Sequence, residues 1–313
     1  MFSIQPYQNL HKAKWNNVIN QSQSATFLFY RDFMEYHSDR FHDNSLLIYE
    51  NERLQAILPA NCVENSIHSH QGLTYGGLIV TENFDSSDYT DMLGYLYSYL
   101  KQNNITHLYI KALPEFYISS NQKYVDFKQN EENTIVYKSE KVLAIDYSKP
   151  LNIHKSKLKN YRKNETKGFV IEEETDFSLF WNKVLCPRLA LKHNTKPVHT
   201  LKEMMYLKSK FPNNIKQYNI YFNDEVLAGI TIFDKGSIVK SQYGATTDLG
   251  EKLRAIEYLF LKLIYKYKDE GKSFFSMGTV TENTELGYNP GLLKQKEELG
   301  CSTYYQDFYK IML

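Results

Sequence analysis

Apolar and polar positions alternate with the period of a strand along residues 45–60, SLLIYENERLQAILPA, and the alternation breaks once, at Asn51-Glu52. Two strands joined by a tight turn are the expected outcome. Residues 217–233, QYNIYFNDEVLAGITIF, repeat the pattern around Asn223-Asp224. An offset of 172 residues lays Ile48 on Ile220, Tyr49 on Tyr221, Asn51 on Asn223, Glu52 on Asp224 and Ala56 on Ala228. A repeat this long marks a duplicated domain, since solenoids repeat every 20 to 50 residues or so.

The correspondence continues beyond the hairpins. Each is followed by a strand ending in Tyr-Gly, at Tyr75-Gly76 and Tyr243-Gly244, then a loop, a helix and another strand. Helical spacing predicts helices near 89–102 and 251–267, with strands at 107–111 and 273–277. The expected class is α+β (mixed α/β), with mixed sheets flanked by helices in two tandem domains, 1–150 and 151–313. The length of 313 residues accommodates two domains of roughly 150 residues each.

Charge narrows the partners. With 37 Lys and Arg against 36 Asp and Glu, the net charge of +1 gives no global attraction to DNA or to an anionic membrane, although a local patch could still act. Cys62, Cys186 and Cys301 are odd in number and widely spaced, which fits neither a disulfide framework nor a metal cluster. A cytoplasmic protein without a metal is expected. The N-terminus lacks a basic segment followed by an apolar one, and the most apolar helix, 255–267, is broken by Glu257, Lys262 and Lys266, so membrane insertion is not expected. The 26 Tyr and 18 Phe suit either ligand grooves or a compositional bias.

The order of hairpin, strand opening into a loop, helix and strand resembles the GNAT acyltransferase fold in tandem, and is similar to FemAB-type proteins and the BioF2-like acetyltransferase group. Residues 29–41 (FYRDFMEYHSDRF), 69–77 (SHQGLTYGG), 196–203 (KPVHTLKE) and 289–300 (NPGLLKQKEELG) carry the resemblance. It implies an enzyme that moves an acyl group, most simply acetyl from acetyl-CoA or another acyl-CoA, to an amine of a small activated precursor such as an amino sugar of the cell envelope. An aminoacyl-tRNA donor, as in FemAB-type cross-bridge enzymes, is the alternative, and a non-catalytic binding module is a third reading. The chain departs from the group's pattern at Ser276-Met277-Gly278, where an acidic-aromatic-Gly sequence is common. It departs again at residues 247–255, TDLGEKLRA, where acyl-CoA enzymes carry a richer glycine loop.

In such an enzyme Tyr243 would protonate the leaving group and Gln242 would orient the acceptor; a tyrosine packed at a sheet edge is the plain alternative. Gly250, Lys252 and Arg254 would hold donor phosphate at a helix start, or else form a solvated helix face. His193, His199 and Glu203 form a polar cluster in which His199 suits a general base. Glu203 reads both as a catalytic partner and as the far end of a capping box from Thr200. In the first half, His68, His70 and Tyr75 lie in a Gly-rich stretch that could approach a ligand, or a tight strand with satisfied imidazoles. Arg31 and His37 are further acceptor candidates, or exposed helix charges. The basic segment 154–163 could meet tRNA or simply face water.

Overall fold

The computed structural model describes residues 1–118, 127 and 133–313. The chain divides into two compact units, residues 1–140 together with 305–313, and residues 141–304. The division thus falls ten residues before the boundary expected at 150, and the last strand belongs with the first unit.

The first unit contains strands β1 (Phe2–Pro6), β2 (Leu46–Glu50), β3 (Arg53–Leu58), β4 (Asn61–Val63), β5 (Ser66–Ser69), β6 (Ile79–Val80) and β7 (His107–Lys111). Its helices are α1 (Lys12–Gln21), α2 (Arg31–Met34) and α3 (Tyr89–Gln102). Strand β8 (Thr134–Asp146) leads into the second unit. There follow α4 (Lys155–Asn164), β9 (Val170–Glu174), α5 (Ser178–Phe180), a π-helical turn at Trp181–Leu185, α6 (Cys186–His193) and α7 (Leu201–Lys210). Next come β10 (Ile215–Phe222), β11 (Glu225–Asp234), β12 (Ile238–Thr246), α8 (Asp248–Leu253), α9 (Ala255–Asp269), β13 (Phe274–Thr279) and α10 (Pro290–Glu298). The closing strand, β14 (Ser302–Met312), pairs Phe308–Met312 antiparallel with β7.

The first unit has one sheet ordered β1-β2-β3-β6, while β5 joins β4 on one side and runs parallel to β7 on the other. The second unit's strands run β8-β13-β12-β11-β10-β9. Helix α3 turns Met92, Leu93, Leu96 and Leu100 inward, a four-residue periodicity, and these side chains share a core with Ile48, Leu58 and Ile110. Helix α9 does the same with Leu259, Leu263, Ile264 and Tyr267 against Ile230 and Ile232. Each fully buried aliphatic side chain contributes roughly 1.5–3 kcal/mol through removal from water.

Both predicted hairpins form, and both turn through two residues with positive φ: Asn51 (45°) and Glu52 (67°), then Asn223 (49°) and Asp224 (62°). Two left-handed residues give the turn twist that matches the flanking strands. The duplication extends to an irregularity. The register shifts between Ile48 and Tyr49 in β2, and between Ile220 and Tyr221 in β10, the same positions under the 172-residue offset.

The copies part company afterwards. Tyr75-Gly76 is not a strand: a side chain on Gly76 would lie 1.8 Å from the Ser69 carbonyl oxygen, and the Gly76 N–H donates to Lys111 O at 2.7 Å. This irregular stretch folds onto the ends of β5 and β7, and the β4–β5 hairpin is inserted ahead of it. The helix expected at 251–267 is two helices, because Arg254 adopts φ of 57° and ends α8. No helix among the described residues is long and apolar enough to cross a membrane.

Glutamate is poorly suited to the left-handed region, where L-residues other than Gly, Asn and Asp incur roughly 1–2 kcal/mol. Glu52→Gly is therefore expected to raise the thermal midpoint by about 2–4 °C, and Asp224→Gly to raise it less. Scanning calorimetry checks both.

Candidate functional site

In the second unit β12 and β13 run parallel, but only Ile238, Val239 and Lys240 pair, with Phe274, Phe275 and Ser276. Beyond that point β12 continues beside β11 to Thr246 while β13 follows β8. Each strand carries a register shift just past the parting: Gln242 is passed over between the pairs Ser241↔Ile232 and Tyr243↔Thr231, and Met277 between Ser276↔Ala144 and Gly278↔Leu143. Parted parallel strands open a wedge at their C-terminal ends, the usual place for ligands in such sheets.

Tyr243 follows the bulge directly. Its hydroxyl accepts from the His199 main-chain N–H (3.2 Å) and lies 2.5 Å from His199 Nδ1. The rings of Trp181, on the π-helical turn, and Tyr243 meet nearly at right angles with their centres 5.1 Å apart. Burial pushes the Tyr243 phenol up to about 12, against the pull of the His199 N–H and the Gln242 side chain. His199 is buried immediately ahead of α7. The structure therefore brings Tyr243, His199 and Gln242 together. Lys240 joins them by donating to Gln242 Oε1 at 2.9 Å.

Glu203 forms the capping box. Its carboxylate accepts from the Thr200 N–H (2.6 Å) and hydroxyl (3.0 Å), and its own N–H donates back to Thr200 Oγ1. Its charge also acts to raise the Tyr243 pKa. The His193 side chain lies outside the described residues.

Two features escape a reading of the sequence. One is a row of buried polar side chains beneath Tyr243's cross-strand partner: Thr231 donates to Gln217, Gln217 to Asn219, Asn219 to Tyr221 and Tyr221 to Glu174. Alternation along β10 shows which face these residues occupy but gives no hint that both faces are covered. The other is Lys296 on α10, whose buried ammonium donates to the carbonyls of Met277 (2.6 Å), Gly278 (3.3 Å) and Thr279 (2.8 Å). Its three donors meet three successive acceptors, which converge because Gly278 takes a φ of 73°. Burial pulls Lys296 down to about 8, and raises the neighbouring Cys301 thiol to about 12. In a segment reading KQKEELG, such a lysine looks like one more solvated charge.

The residues expected to take a donor's pyrophosphate do not build a cradle for it. The Gly250 N–H is capped by Thr247 Oγ1 at 3.0 Å, and a side chain there would lie 2.4 Å from Leu227 O, so this glycine serves packing. Lys252 and Arg254 are exposed, and Arg254 reaches Glu257 at 3.5 Å. Asp248 and Glu251 occupy the first turn of α8 and pair with Arg188 at 3.1 and 2.5 Å. On α4, Lys157 is buried against Glu257 at 2.6 Å, while Lys155, Lys159, Arg162 and Lys163 face solvent.

In the first unit Arg31 is buried and committed to Glu35 (3.0 Å), Ser45 (3.2 Å) and Asp43 (2.6 Å), beneath the Tyr7 ring. It is not an exposed helix charge. Tyr75 is fully buried, with its hydroxyl 2.8 Å from Thr26 Oγ1. His37 and His70 come together as parallel rings 5.5 Å apart and bracket Gly72, His37 Nε2 at its carbonyl (3.3 Å) and His70 Nδ1 accepting its N–H (3.1 Å). His68 stacks on Tyr109 at 4.6 Å.

No protein-family model and no curated protein sequence matches the chain. Solved structures do. FemX aligns over 99% of this chain and 97% of its own, with a TM-score of 0.70 and 10% identity. The C-terminal domain (DUF2156) of a putative lysylphosphatidylglycerol synthetase from Agrobacterium fabrum aligns over 97% and 92%, at 0.62 and 10%. A tandem GNAT protein from the clavulanic acid biosynthesis pathway aligns over 100% and 98%, at 0.51 and 8%. At these identities the likeness is one of fold, the fold shared with FemX and with a tandem GNAT protein.

Lys296 gives the second unit a pH signature. Its folded pKa lies below that of an unfolded lysine, near 10.4, so from about pH 8 upward the unfolded chain binds more protons than the native one and stability rises with pH. In a Trp15→Phe background, with Trp181 as the remaining tryptophan, urea midpoints of the second unit should climb between pH 8 and 10 relative to those of Lys296→Met. Parallel pH dependences in the two proteins would remove Lys296 as the cause.

Proposed function

We propose that the second unit catalyses acyl transfer to an amine, with the acyl carbonyl in the wedge between β12 and β13. The observation that carries this reading is the Tyr243–His199 pair beside a bulged strand end that has lost its parallel neighbour. Main-chain N–H groups along a parted strand suit a developing oxyanion, because they are fixed before the reaction begins. The amine nitrogen forms the new bond to the acyl carbon, and the bond from that carbon to the leaving oxygen or sulfur breaks. His199 takes the proton released by the amine. Tyr243, still protonated at neutral pH because burial holds its pKa near 12, gives its proton to the leaving group. The 2.5 Å contact between His199 Nδ1 and Tyr243 Oη then lets the imidazole restore the phenol.

The resemblance offers two donors, acyl-CoA and aminoacyl-tRNA. The capped, acid-bearing start of α8 favours a donor without a pyrophosphate at that place, and thus an aminoacyl ester. The acceptor class, an amine on a small precursor of the cell envelope, rests on resemblance alone.

Mass spectrometry of reactions containing acetyl-CoA or charged tRNA, with amino sugars and peptidyl amines as acceptors, tests both levels. Amide formation from charged tRNA is expected. Tyr243→Phe and His199→Ala should each lower kcat by roughly 10²–10⁴, and the double variant should lose little more than the worse single one. Full turnover by both variants would dismiss the assigned roles, and preferential acetyl transfer would reverse the choice of donor.

A further inference from the structure

The acyl-transfer reading leaves a cavity in the first unit unassigned. In the first unit a cleft of about 360 Å³ opens at the C-terminal ends of the parallel pair β5 and β7, lined among others by His68, His70, Gln71, Tyr109, Lys111 and Phe308. Both its place, at parallel strand ends, and its size suit a small-molecule site.

Lys111 sets its chemistry. Among the described residues its ammonium has a single long hydrogen bond, to Leu73 O at 3.3 Å, and it sits 5.6 Å from the centre of the Phe308 ring. The neighbouring carboxylate, Glu140, is taken by Lys138 at 2.5 Å. An ammonium has three donors, so Lys111 has hydrogen-bonding capacity left for an anion. Burial lowers its pKa, and a bound anion would oppose that shift.

The imidazoles bring no second positive charge. Burial holds His70 down to about 3 and lowers His68, so both are neutral at physiological pH. One cation in the lining matches a monoanion better than a doubly charged phosphate monoester. The walls complete the specification. His68 and Tyr109 stack in parallel, and the Tyr137 ring stands edge-on at 5.6 Å from Tyr109 and 6.1 Å from Phe308. Surfaces of this kind favour an apolar or aromatic body.

We propose that this cleft binds a small carboxylic acid with an apolar or aromatic body, its carboxylate on Lys111 and its body against Tyr109, Tyr137 and Phe308. The site is independent of turnover in the second unit, so binding measurements separate its failure from that of the acyl-transfer reading.

Titration calorimetry of the full chain with 4-phenylbutyrate, its amide and phenyl phosphate provides the test. The acid should bind at least tenfold more tightly than the isosteric amide, and phenyl phosphate more weakly than the acid. Lys111→Met should abolish the preference for acid over amide, while Lys101→Met on α3 leaves it intact. Equal affinity of wild-type protein for acid and amide, absence of binding, tighter binding of the phosphate, or a preference that survives Lys111→Met would each overturn the proposal. The wild-type comparison stands whether or not the variant folds.

Discussion

The parting of β12 from β13 is the constraint on which the second unit depends. A parallel ladder three residues long leaves successive backbone groups to find other partners, and a buried carbonyl without one is costly. Lys296 answers on the β13 side, placing one ammonium on three carbonyls. Hydrogen bonds from a charged donor contribute about 1.5–3 kcal/mol each, offset by the desolvation that pulls the lysine's pKa down. On the β12 side the bulge at Gln242 changes the course of the strand and carries Tyr243 to His199. The same parting thus accounts for the placement of both Lys296 and Tyr243.

Much of the frame was legible because it rests on local chemistry. Asn51-Glu52 and Asn223-Asp224 announce tight turns, and the alternation around them fixes strands whose residues must face a core. The 172-residue offset even carries the hairpin bulge with it. What could not be read depends on distant partners. Nothing in the residues around Arg254 signals a left-handed turn, and Lys296 looks solvated until the carbonyls of β13 are known. At Gly250 the requirement for glycine comes from the Leu227 carbonyl, a partner distant in sequence. Arg31 and Tyr75 read as candidates for binding an acceptor, and their burial is invisible in one dimension.

The two copies differ most beyond their hairpins. The second unit keeps a long β12 with a hydroxyl and an imidazole at its bulge. The first replaces the equivalent stretch by an added hairpin and a turn clasped between His37 and His70, with aromatic rings and one ammonium beyond it. Their hairpins differ little, so divergence is concentrated at the strand ends, where backbone geometry is least constrained by the sheet.

The return of residues 305–313 to the first unit has a consequence for biosynthesis. Domains emerging from the ribosome generally fold in order of synthesis, but here β7 cannot acquire its antiparallel neighbour until residues 308–312 have appeared. Tyr309 and Ile311, both almost wholly buried in the first unit's core, arrive after the entire second unit has been made. The first unit, although it is begun first, is therefore completed only after the chain of the second unit has been made.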